Sequence, residues 1–196
     1  MSKLVIELNA DHLLGEGCTK YCYQHPLNSN QVVKIIKSGI SKPQSRRYLV
    51  RMKREINALK QVVKINQLQS YFPAYHGSIL TNLGRGFVFD KVDFHQDVFK
   101  SHGMITVIAY TQIKQVIRDL ISHDVAFCPD LIRNLFINQR TQQLYFLDGL
   151  GCKYFIPATL SPFPKVIRRC LMKRMIKKHI LRDLKILYRQ SVRDRH

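Results

Sequence analysis

Two oxygen-bearing side chains flank a short hairpin in the second half of the chain. The apolar runs Leu135-Phe136-Ile137 and Leu144-Tyr145-Phe146-Leu147 enclose a polar turn from Asn138 to Gln143, the pattern of a tight β-hairpin. With the turn centred on Thr141, Asn134 and Asp148 stand opposite each other at its open end. An amide oxygen beside a carboxylate offers hard ligands to Mg²⁺, with water or phosphate oxygens completing the shell. Asn and Asp are also common strand-end caps, so the pair alone leaves both readings open. Lys34 lies between Val33 and Ile35, and alone it reads as an edge-strand lysine facing solvent. Glu55, near the apolar side of the following helix, changes that reading. From there a glutamate reaches a lysine on an adjacent strand and holds its ammonium against a phosphate. Gly15-Glu16-Gly17 lets backbone N–H groups approach a phosphate unobstructed, although two glycines between strands also make an ordinary tight turn.

These positions need a frame. The first third reads as a meander: a strand at His12 to Leu14, the glycine turn, Tyr21 to Tyr23, a turn at Pro26 to Asn30, and Gln31 to Ile36. After Lys42-Pro43-Gln44-Ser45 a helical stretch runs to about Asn66, with Leu49, Met52, Ile56, Leu59 and Val63 recurring at three and four. Gly77 to Leu80 and Gly86 to Phe89 form a hairpin around a glycine-containing loop. A second helix spans about Met104 to Ser122, with Ile105, Ile108, Ile113, Val116, Ile117 and Leu120 on one side. The chain closes with a basic amphipathic helix from about Lys165 to Gln190. A five-stranded unit with one inserted helix, then helices with a small hairpin, make an α+β chain in two lobes. The expected division is 1–92 and 93–196.

The ordered set Gly15-x-Gly17, Val33-Lys34-Ile35, Glu55, Asn134 and Asp148-Gly149 resembles the protein-kinase order. It is more similar still to one bacterial family, the PhoP regulatory network protein YrbL, which is kinase-like. The segments carrying that resemblance include Leu14 to Pro26, Val33 to Ile36, Pro73 to Gly77, Gly86 to Asp90, Asn134 to Phe136 and Asp148 to Cys152. It implies a minimal bilobal protein-kinase-like fold, with a β-rich N-lobe and a small, truncated helical C-lobe. It also implies an ATP- and Mg²⁺-dependent phosphotransferase with a nucleotide cleft between the lobes. Gly15 and Gly17 would cover the phosphates, Lys34 would bind the α/β-phosphates, and Glu55 would hold Lys34. Phe89, Asp90 and Val92 would lie in the hinge beside the adenine, and Asn134 and Asp148 would hold Mg²⁺. The phosphoacceptor, a protein or a small molecule, is unassigned.

Three departures bear on that expectation. Lys20 stands where the third glycine of the loop belongs, which implies a looser phosphate cover. The catalytic Asp of a kinase lies five residues before the Asn, where this chain has Pro129, while Asp130 lies four before. Either the loop is one residue shorter with Asp130 as the base, or the base is absent and the chain is a pseudokinase, a nucleotide-binding regulatory module acting through its basic C-terminal helix. Gly149 takes the place of the Phe that follows the metal-binding Asp. About ten residues then separate Asp148 from Pro157, so the usual platform for a protein substrate is missing.

The chain has 196 residues, 45% hydrophobic and 23% charged, a length and balance that support one globular core and exclude disorder. No run approaches the ~20 apolar residues of a membrane span. The longest uncharged stretch, Ile65 to Gly84, is broken by Asn66, Gln67, Gln69, Pro73, His76 and Asn82. The amino terminus lacks the apolar run of a signal peptide. Five cysteines without paired spacing point to a reducing compartment, the cytoplasm. His12, Cys18, Cys22 and His25 are zinc ligands by type but not by spacing. The net charge is +19, and residues 165–196 hold twelve Lys/Arg against two acids. That tail reads as a solvated helix face or as a contact for a polyanion, and it keeps a basic nucleic-acid-binding protein as a third alternative.

Overall fold

The computed structural model describes residues 5–38, 41–93, 96–97, 107–128, 131, 134–138 and 140–151, with 167, 170, 182, 185 and 186 in the C-terminal segment. A six-stranded sheet comprises β1 (Val5–Ile6), β2 (Leu13–Glu16), β3 (Lys20–His25), β4 (Asn28–Ile36), β5 (Tyr75–Thr81) and β6 (Gly84–Asp90). Its spatial order is β1-β5-β6-β4-β3-β2. The sequence predicts five of these strands; β1 is two residues long, too short for alternation to register, and pairs in parallel with β5.

β4 is central, bonded to β3 on one side and β6 on the other, so the edge-strand reading of Lys34 is corrected. Both faces of β4 are covered, which explains its nearly continuous apolar run. Val33 and Ile35 pack with Ile6, Leu8 and Tyr23 on one face. Val32, on the other face, joins the main core, with Ile36 and Cys22 packed against it. Side chains alternate along a strand, so Lys34 shares this second face with Val32 and Ile36.

That face is covered by α1 (Lys42–Val62), which carries Pro in its first turn, where a missing N–H costs nothing. Met52, Glu55, Ile56, Ala58, Leu59 and Val62 are buried, a stripe at helical spacing that places Glu55 inward. The helix stops about four residues before the periodicity predicts. Ile65 is extended, with φ −110° and ψ 100°, and α2 (Asn66–Gln69) begins a separate turn.

The second lobe contains α3 (Val107–Ser122) and a three-stranded sheet, β7-β8-β9, formed by Gln96–Asp97, Leu135–Ile137 and Leu144–Phe146. The two-residue β7 is not legible in the sequence. One apolar cluster runs through both lobes, joining Met52, Leu59, Leu68 and Phe89 to Ile113, Leu120, Phe127 and Phe146. Phe72 stacks on Phe146 at 5.3 Å, and the Phe146 N–H donates to Tyr71 O at 2.9 Å, so β9 is fixed to the first lobe. Of the C-terminal helix, the five described positions are helical and exposed; the rest of the expected span lies outside the described residues.

Candidate functional site

Lys34 pairs across the sheet with Cys22 and Phe87, and its ammonium lies 4.6 Å from the centre of the Phe89 ring. It donates to Leu147 O at 3.0 Å and stands 3.7 Å from Glu55 Oε1. The other Glu55 oxygen, Oε2, accepts from Lys20 Nζ at 3.1 Å, and Lys20 also reaches Asp148 Oδ2 at 2.9 Å. Two ammonium groups and two carboxylates thus converge, balanced in charge. Of the residues singled out in the sequence, Lys34, Glu55 and Asp148 come together; Lys20 completes the group.

Asp148 is placed by two local features. Its Oδ1 accepts from the Gly149 N–H at 2.7 Å, and the segment after it pairs back: Gly149 O accepts from Cys128 N at 2.8 Å, and Gly151 N donates to Ala126 O at 2.7 Å. Gly151 has φ +70° and a Cβ there would lie 2.3 Å from Arg54 C, so only glycine lets this strand press against α1 beside Glu55. At Gly149, φ +102°, a Cβ would lie 2.8 Å from Leu131 Cα. The place of the kinase Phe is therefore closed by backbone.

The hairpin register departs from expectation by one residue. Leu135 faces Phe146 and Ile137 faces Leu144, and Leu147 N donates to Asn134 O at 3.0 Å, so Asn134 stands opposite Leu147 and not Asp148. The cause is the turn. Asn138 Oδ1 accepts from the N–H groups of Arg140 and Thr141 at 3.0 and 3.1 Å. Gln142 takes a left-handed φ of 57°. The turn is centred between Arg140 and Thr141, and Asp148 lies one residue beyond Asn134's partner.

A Cβ at Gly15 would meet nothing within 4 Å, and one at Gly17 would meet only Lys20 O at 3.6 Å. Neither has a positive φ, so the fold itself does not demand glycine at either position. In the expected hinge, the Phe89 ring is fully buried and belongs to the core. Asp90 is occupied by the first lobe: its Oδ2 accepts from Ala74 N at 2.9 Å, and its Oδ1 meets His76 Nε2 at 2.5 Å. Val92, half-buried, follows. Pro129 and Asp130 lie outside the described residues.

Burial opposes the charge on Lys20, but Glu55 and Asp148 outweigh it and hold its pKa above that of an ordinary lysine. Burial would raise the Asp148 pKa; Lys20, then Lys34 and the Gly149 N–H, reverse this and hold it below the usual carboxylate value. Burial pushes the Cys22 thiol up despite both lysines. Among the described residues no cluster of three or more His, Cys, Asp or Glu is placed to hold a metal. Asp148 and Asn134 are by type the hard oxygen donors of the other kind of site, in which few protein oxygens and several phosphate oxygens surround Mg²⁺.

Sharing of Glu55 has an energetic consequence. With side-chain exposures of 20%, 14% and 7% for Lys20, Lys34 and Glu55, removing either lysine leaves Glu55 one partner. Removing both leaves a buried carboxylate unpaired, a loss of about 3–5 kcal/mol in comparable buried pairs. Urea unfolding of Lys20→Met, Lys34→Met and the double variant should therefore be strongly non-additive. Additive losses would show that Glu55 does not depend on the two lysines jointly.

The sequence placed the excess positive charge in the tail, but α1 carries a second cationic surface. Lys42, Arg46, Arg47, Arg51 and Arg54 line an open groove of about 820 Å³. The signal was there: their spacing puts them on one side of a helix whose other side is apolar.

A sheet carrying Lys34, a helix whose glutamate meets it, and a small second lobe presenting Asp148 define a kinase-like α+β fold. Solved structures agree on the fold. Rad53 residues 1–466, in complex with AMP-PNP, superposes with a TM-score of 0.57 at 18% identity, covering 94% of this chain and 51% of that one. WbdD superposes with a TM-score of 0.51 at 11% identity, covering 85% and 45%. The chain spans about half the length of each. The chain belongs to the family of the PhoP regulatory network protein YrbL, whose profile matches residues 6–185. No curated protein matches its sequence. Among the described residues no helix is long and apolar enough to cross a membrane.

Proposed function

We propose that the chain binds ATP with Mg²⁺ and acts as a kinase-like phosphotransferase. The observation that carries this reading is the convergence of Lys34 and Glu55 with Asp148, joined by Lys20 from the strand that follows a glycine turn whose glycines serve no packing need. Gly15 and Gly17 offer backbone to phosphates, and Lys34 offers a point charge, with Glu55 and Leu147 O fixing its position. Among the described residues Val92 makes no hydrogen bond, which suits its backbone to an adenine edge. Asp148 and the Asn134 amide would hold Mg²⁺, which when bound neutralises charge on the phosphates. Asp130 is assigned the role of accepting the acceptor's proton. One structure of the same fold holds AMP-PNP, a nucleoside triphosphate analogue, which supports a nucleotide as ligand. The test is melting temperature: MgATP should raise it by several degrees, since a ligand selective for the folded state stabilises that state. No rise at millimolar MgATP would sink the reading.

Pro129, where a kinase has its catalytic Asp, favours a second reading: a pseudokinase that binds nucleotide without transferring phosphate. Transfer assays divide the two.

The tail is assigned a polyanion contact through residues 165–196. RNA binding should weaken steeply as salt rises, because each neutralised phosphate releases counterions. Lys173→Glu, Lys177→Glu and Lys178→Glu together should weaken it and flatten the salt slope, with ATP affinity unchanged. An unchanged slope would return the tail to a solvated helix face, leaving the groove on α1 as the cationic surface to examine.

A further inference from the structure

Lys20 is the one member of the charged group that the nucleotide reading does not use, and it is fixed with care. Its backbone is held on both sides: Gly17 N donates to Lys20 O at 2.9 Å, and the residue pairs with Ile36 of β4. It therefore opens β3 just after the glycine turn, and its side chain reaches α1 at Glu55 and the segment after β9 at Asp148. The ammonium ends 3.1 Å from Glu55 and 2.9 Å from Asp148. Lys20 takes Asp148 Oδ2, the carboxylate oxygen that Gly149 N leaves free.

We propose that Lys20 is a second phosphate-binding lysine, parked on Asp148 while the cleft is free of nucleotide and transferred to the phosphates when nucleotide enters. This rests on the nucleotide reading of the cleft. A triphosphate carries more negative charge than the single Asp148 carboxylate and competes with it for the ammonium with or without metal; a divalent cation, if held at Asp148, would add repulsion. The nearest anion available to Lys20 is then a phosphate under its own loop, and its flexible stem lets the ammonium swing without moving the sheet. Glu55 retains Lys34 throughout, so the exchange leaves no buried carboxylate unpaired. Lys20 thus replaces the third glycine's backbone approach with a charge, and two lysines, one from β3 and one from β4, bracket the phosphates. Because both charges belong to the protein, part of the phosphate recognition is independent of metal.

The experiment measures binding of ATP and of adenosine to the full chain by calorimetry in EDTA, where no metal contributes. Lys20→Met should weaken ATP about tenfold or more, the size of a lost charge-assisted hydrogen bond, and leave adenosine unchanged; Lys20→Arg should restore most of the loss. Asp148→Asn gives a second reading that leaves Lys20 intact. By freeing Lys20 it should tighten metal-free ATP several-fold, and Lys20→Met on that background should erase the gain. Equal ATP affinity in wild type and Lys20→Met, or equal losses for ATP and adenosine, would overturn the assignment and leave Lys20 as a structural ion pair. Wild-type protein that binds ATP only when Mg²⁺ is restored would overturn the metal-independent role of Lys20, and one that binds neither ligand even with Mg²⁺ would instead overturn the nucleotide reading itself.

Discussion

Asp148→Asn should lose nearly all of the MgATP-dependent rise in melting temperature while the ligand-free protein stays folded. Ligand at about 100 times its dissociation constant adds about 2.7 kcal/mol. For a chain of this size that corresponds to a shift of roughly 5–11 °C. A variant bound 100-fold more weakly keeps about 0.4 kcal/mol at the same concentration, a shift of about 1–2 °C. The amide is isosteric, and its oxygen still accepts from Gly149 N where the carboxylate does now, so the local turn survives. Lys34→Met should produce the same loss by a different route, since it removes a phosphate cation and not a metal ligand. Its fold is protected because Glu55 keeps Lys20 at 3.1 Å. In EDTA the two variants should part: Lys34→Met remains weak, whereas Asp148→Asn does not. Full shifts in both variants with MgATP would mean that nucleotide, if it binds, binds elsewhere.

The sequence made the members of this group legible but not their pairing. Local patterns carried the meander, both long helices and the hairpin, because alternation and helical spacing are set by near neighbours. Strand order is not local. Lys34 reads as an edge residue because nothing in Val33-Lys34-Ile35 reveals that β6 closes against β4 from more than fifty residues away. The hairpin register failed at one residue for a reason visible only in geometry, the double acceptance by Asn138 and the left-handed Gln142. Lys20 is the most instructive case. As a substitution for a loop glycine it implies a looser cover; in the structure its side chain bridges 128 positions in sequence to Asp148. No periodicity or spacing rule encodes a contact between a loop and a segment so distant. The glycines fared the opposite way. Gly15 and Gly17 stand out in the sequence as a motif, and the absence of any packing demand for them is what supports a role toward a ligand. Gly149 and Gly151, noticed in the sequence as parts of a longer resembling segment, are glycines the fold requires.

Asp130→Asn should lower phosphotransfer about 100-fold or more, within the usual range for loss of a general base, and leave ATP affinity unchanged. Cys128 N is bonded to Gly149 O at 2.8 Å, and Leu131 N is bonded to Cys128 O at 3.1 Å. Leu131 is fully buried and lies beside Gly149. Cys128 and Leu131, the described residues on either side of Asp130, thus both lie next to Gly149, which is why Asp130 is the variant chosen. Phe127 bridges to Leu150, so the residue before Cys128 is tied to the segment after Asp148. The measurement is transfer of labelled phosphate from ATP to the protein itself and to small hydroxyl acceptors, with nucleotide binding followed in parallel. A large loss of transfer with binding retained assigns the base. If wild-type protein binds MgATP but neither it nor Asp130→Asn transfers phosphate to any acceptor, Pro129 marks a base that is absent, and the chain works as a nucleotide-binding regulatory module.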